Sequence, residues 1–75
     1  MFDQFADIIM NYVEVNKEDI KPESRFMEDL GFNSYDFMSM VGEVEEAFDI
    51  EVEEREVVNI KTVKDAMEYI QSIME

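Results

Sequence analysis

Apolar side chains in this sequence recur at helical spacing in three separate stretches, and we read the chain as helices without strands. Phe2, Phe5, Ala6, Ile9, Tyr12 and Val13 follow the i, i+3, i+4, i+7 rule. With Asp3 placed to cap or charge the start, they predict a first helix over residues 3–14. Phe37, Val41, Val44 and Phe48 predict a second, running from just after Ser34 into the acidic EEAFD. Val63, Ala66, Met67, Ile70, Ile73 and Met74 predict a third over residues 62–74, and Thr62 and Asp65 in TVKD have the spacing of a capping box. Between the last two, EEREVVNI has room for one or two turns whose Val57, Val58 and Ile60 close the core. Residues 15–33 hold the only proline, Pro22, and one of two glycines, in a connection long for so small a chain. Because Ile20, Phe26 and Leu30 recur along it, it is expected to be ordered and pinned across the helices. The predicted fold is all-α: a small up-down bundle of three main helices plus one short helix, with a long first loop.

Seventy-five residues make one domain, 1–75, and a chain this short hides only about 60% of its unfolded surface on folding. The apolar fraction of 47% is that of a chain that folds, despite twenty acids against six bases and a net charge of −14. That charge repels phosphate backbones and anionic lipid while attracting basic protein patches, so nucleic acid is excluded as a partner and a basic protein favoured. We expect a monomer. An acid near the N-terminus, where a secretory signal needs positive charge, and the lack of any apolar run near the roughly 18 residues of a span predict a soluble cytoplasmic protein with no membrane insertion.

The short neutral turn GFNS, residues 31–34, stands out in this acidic background. Ser34 has no histidine to take its proton anywhere in the chain, and GFNSYD lacks the second glycine of a nucleophile elbow. An enzyme is therefore not expected. Neither DFMSMVGEVEE nor DIEVEEREVV supplies the oxygen spacing of an EF-hand, and the absence of cysteine removes thiolate zinc sites, so no metal site is assigned. If Gly31 turns the chain and Asn33 caps the following helix, Ser34 is exposed in its first turn and Asp36 sits at the third position, where a carboxylate suits the positive helix end. Such a serine can carry a phosphate ester, because free N–H groups and the helix dipole stabilise an anion there. The plainer alternative, which the turn taken alone favours, is that Ser34 is itself only the N-cap.

EDLGFNSYDFMSMVGEVEEAFDIEV resembles the acyl carrier protein signature, in which an aspartate-flanked serine opens the second helix and an EEEFDIEI-like segment closes it. The similarity extends back through ESRFMEDLG and forward through VVNIKTVKDAMEYI, so it spans nearly the whole chain and suggests a discrete bacterial-type carrier. The resemblance implies that Ser34 is the attachment point of 4'-phosphopantetheine, added from coenzyme A by a magnesium-dependent phosphopantetheinyl transferase. It implies further that acyl groups travel as thioesters on that arm between enzymes of fatty-acid, polyketide or related biosynthesis. Matching positions give Val41, Val44, Val52, Val57, Ile60 and Ala66 as an acyl pocket. They give Asn33, Tyr35, Asp36, Met38, Glu45 and Glu46 as the face read by basic patches on acyl-processing partners. Exposed ion pairs there would tune encounter more than affinity. Seven methionines suit a deformable interior or contact surface.

The sequence departs from the family pattern at Asn33, where aspartate is commonest, at Ser39, where an acid is usual, and at Gly42, where a larger apolar residue is common. These departures suggest a specialised carrier. The alternatives are an aminoacyl (peptidyl) carrier, or an acidic helical interaction module whose serine is never modified.

Overall fold

The computed structural model describes residues 1–75. Helices α1 (Phe2–Ile9), α2 (Ser34–Phe48), α3 (Glu54–Val57) and α4 (Val63–Met74) follow in order, with a single 3-10 turn, Lys17–Asp19, in the long first connection. The all-helical fold expected from periodicity is the one observed. Its helix starts have local causes. Gly31 takes φ +85°, a backbone conformation open to glycine, and two residues later the Asn33 Oδ1 accepts the Asp36 N–H at 2.7 Å to begin α2. Thr62 and Asp65 form a reciprocal capping box at the start of α4. At its far end α2 stops where Asp49 turns left-handed, at φ 55°.

Fifteen buried apolar residues form one core, drawn from every helix and from the long connection. Phe26, which the connection carries inward, sits at its aromatic centre, with ring centroids 6.4 Å from Phe5, 5.6 Å from Phe32 and 5.2 Å from Phe37. The connection is ordered, as the spacing of Ile20, Phe26 and Leu30 predicts, because its backbone pairs with the start of α4. The Phe26 N–H donates to the Lys61 carbonyl at 3.0 Å, the Val63 N–H to that of Ser24 at 3.0 Å, and the Lys64 N–H to that of Pro22 at 2.9 Å.

One helix boundary and one stretch of expected core differ from expectation. The first α-helix ends at Ile9 rather than near residue 14, because the N–H groups of Asn11 and Tyr12 bond three residues back, to Ile8 and Ile9, at 3.0 Å each. This tighter winding aims Tyr12 at α2, where its hydroxyl donates to the Glu43 carboxylate at 2.8 Å. At the other end, Ile73 and Met74 continue the apolar spacing of α4 yet are exposed, since the last turn runs past the core.

Candidate functional site

Ser34 is the first residue of α2, exposed, and its hydroxyl takes no part in any hydrogen bond within the protein. The cap is made by the Asn33 side chain, which leaves Ser34 free of that duty. Beside it opens a groove of about 540 Å³, walled by Phe37 and Met38 of α2, by Val57, Val58 and Ile60 on and after α3, and by residues 25–28 of the long connection. The groove is mostly apolar, with Arg25, Glu28 and Lys61 on its polar side. Arg25 is already engaged there, with Asp29 at 3.1 Å and Glu28 at 3.5 Å. The Arg25 side chain, followed by the Arg25 backbone N–H, holds the Asp29 carboxyl below its ordinary range, and Asp29 in turn raises the guanidinium.

A second, smaller space lies inside the helices. It has a volume of about 20 Å³ and an entirely apolar lining that includes Val41, Val44, Val52, Ile60 and Ala66. Five of the six residues expected to form a pocket thus meet around one cavity. Val57 does not join them; it faces the groove beside Ser34, because α3 is only four residues long and presents its one buried side to that groove. Phe5, Phe37 and Ile70, expected as apolar helix positions, complete the cavity lining together with Met40 and Tyr69, which were not singled out in the sequence. Tyr69 lies three residues after Ala66, on the same face of α4, and that spacing is its signal in the sequence. Its hydroxyl accepts the Glu53 N–H at 3.0 Å, so the same ring that lines the cavity also fastens the start of α3.

The residues proposed as a contact face divide by exposure. Asn33, Tyr35, Met38 and Glu46 are exposed, Tyr35 to 80%, and Asp36 is half-buried. Glu45 is also half-buried, and its carboxylate accepts the Val52 N–H at 2.8 Å, which commits it in part to holding the connection between α2 and α3. Glu43 is committed more fully, since it accepts from Tyr12 at 2.8 Å and from the Asn11 amide at 3.0 Å. That hydrogen bond to Glu43 first, and burial second, raise the Tyr12 phenol above its ordinary value. No group of acidic side chains converges as metal ligands would.

A family described as "Phosphopantetheine attachment site" matches residues 3–70. Among curated proteins, the chain is 39% identical to an acyl carrier protein of Wolinella succinogenes over 96% of this chain and 95% of that one. It is 41% identical to an acyl carrier protein of Chlorobium phaeovibrioides over 91% and 87% of the two chains. To one of Syntrophobacter fumaroxidans it is 42% identical over 89% and 83%. The geometry is compatible with such a prosthetic group: Ser34 offers an exposed, unbonded hydroxyl, and the adjoining groove has room for an extended chain. With match and geometry together, the chain belongs to the phosphopantetheine-attachment family of acyl carrier proteins, which are carriers rather than enzymes and take 4'-phosphopantetheine as their prosthetic group.

Proposed function

We propose that Ser34 carries the 4'-phosphopantetheine arm and that the protein delivers acyl groups to enzymes of fatty-acid, polyketide or related biosynthesis in the cytoplasm. The arm supplies a thiol, which a chain without cysteine lacks, and acyl groups ride on it as thioesters. The observation that carries this reading is an exposed, hydrogen-bond-free serine at the head of α2, opening onto the large groove, in a chain matched by the attachment-site family over residues 3–70. Asn33 performs the capping, so the Ser34 hydroxyl stays available for esterification and the first-turn N–H groups favour the anion that results.

The partners would be a phosphopantetheinyl transferase and acyl-processing enzymes with basic docking patches. Tyr35 and Met38 supply exposed apolar contact, while Asn33, Asp36, Glu45 and Glu46 supply polarity and charge around it. Val41, Val44, Val52, Ile60 and Ala66 shelter acyl cargo only by moving apart, because a space of about 20 Å³ has room for about one water and not for an acyl chain. Met40 in that lining gives it a flexible wall. Val57 contributes from the groove side. The neutral Asn33 and Ser39, with Gly42, favour a specialised carrier acting as a monomeric single domain over the one that serves primary fatty-acid synthesis. Normal growth of a strain with this as its only fatty-acid carrier would exclude that specialisation.

The test is intact mass after incubation with coenzyme A, magnesium and a broad-specificity transferase. We expect the wild type to gain the mass of one phosphopantetheinyl group and Ser34→Ala to gain none. No gain in the wild type, or an equal gain in both, favours the unmodified interaction module instead.

A further inference from the structure

Lys61 lies in the groove beside Ser34, yet its ammonium forms neither an ion pair nor a hydrogen bond, in a chain with twenty acidic side chains. The other cation of that groove, Arg25, is held by Asp29 and Glu28. Lys61 is fixed at its backbone, where its carbonyl accepts the Phe26 N–H at 3.0 Å and its N–H donates to Asp65 at 3.1 Å. A long, exposed side chain therefore springs from an anchored root beside an apolar groove. An anion introduced at Ser34 would meet Glu28 in the groove and Asp36 in the same helical turn, so a free cation facing it has an electrostatic task that no internal partner performs.

Resting on the attachment at Ser34, we propose that the Lys61 ammonium is the counter-ion of the arm's phosphodiester and holds the arm along the groove walled by Met38, Val57 and Val58. Lys64 is the built-in control. It too lacks an ion pair, but it stands on α4 outside the groove. Lys61 is thereby a contact residue for the prosthetic group, and it biases the unloaded arm toward the protein surface rather than toward solvent.

The experiment uses the modified, unloaded protein as wild type, Lys61→Gln, Lys61→Arg and Lys64→Gln, with intact mass checked first. Absence of the mass gain in the wild type overturns the attachment itself; every later outcome bears on Lys61 alone. Phosphorus NMR and methyl shifts of Met38 and Val58 are then read against the unmodified protein. We expect the modification-induced methyl shifts to fall about threefold in Lys61→Gln, the scale of a partly exposed ion pair, with a displaced phosphorus resonance. Lys61→Arg should retain the wild-type spectra, as should Lys64→Gln. Raising salt to about 1 M, where charges more than about 3 Å apart are screened, should shrink the difference between wild type and Lys61→Gln. Spectra of Lys61→Gln that superimpose on the wild type, or an equal change in Lys64→Gln, would overturn the proposal.

Discussion

The two ends of α2 treat their polar groups in opposite ways. At the N-terminal end the Ser34 hydroxyl is unbonded, Tyr35 and Met38 lie open, and the neighbouring groove contains an unpaired lysine. Toward the C-terminal end two carboxylates are spent internally, Glu43 on Tyr12 and Asn11, and Glu45 on the Val52 backbone. One helix thus serves as a fastening at one end and as a displayed surface at the other. The difference shows that high acidity here is not uniform decoration. Some acids hold the bundle together, whereas the Asp36 carboxylate, in the same turn as the serine, bonds to nothing within the protein.

The sharpest way to break this contrast is Ser34→Ala. It should abolish the mass gain completely while changing stability by no more than about 0.5 kcal/mol, as for a surface change that removes no internal bond. A large fall in the denaturation midpoint would mean that Ser34 is structural after all. Tyr12→Phe should do the reverse. Losing the bond to Glu43 costs about 1 kcal/mol in urea unfolding and leaves the mass gain intact.

Gly42, midway along α2, should separate helix propensity from function. A Cβ built there meets nothing within 4 Å, so Gly42→Ala should raise stability by up to about 1 kcal/mol. A destabilised Gly42→Ala would show that the open space around that position is needed.

The smallest effect concerns pH. Asp65 is held below its ordinary 3.8 by the backbone N–H groups of Lys61 and Thr62, and Asp29 below the same value by Arg25. A depressed carboxylate stabilises the fold above its unfolded value and loses that contribution as pH falls through the folded one. Against this, mild acidification relieves the repulsion of a −14 chain. The melting temperature should therefore rise slightly from neutral pH toward about 5 and drop once pH passes below the ordinary carboxylate range. Added magnesium or calcium at neutral pH should also raise it, and a flat response in both titrations would contradict the self-repulsion argument.

What was legible in the sequence was local. Asn33 as cap, Gly31 as turn, the Thr62 and Asp65 box and the face of α2 each depend on residues no more than about four apart, the range over which helical geometry acts. What was not legible depends on how helices rotate against one another. Tyr12 and Glu43 are 31 positions apart, and their pairing accompanies the early end of α1. Val57 and Ile60 lie three apart, yet Val57 faces only the groove while Ile60 also reaches the cavity, because α3 ends between them. Lys61 gave no signal of its own, since a lysine's surroundings are set by what the fold brings beside it.

The backbone pairing of residues 22–26 with residues 61–64 imposes an order in time. The cap at Asn33 closes over three residues and can form as soon as they exist, on the sub-microsecond scale of helix and short-loop events. The wall containing Lys61 waits for a closure across about half of the chain, with its larger entropic cost. During synthesis, then, the serine-bearing turn is made well before the groove beside it. A transferase that required only the turn could act on a nascent chain, whereas one that also reads the groove would have to wait for α4.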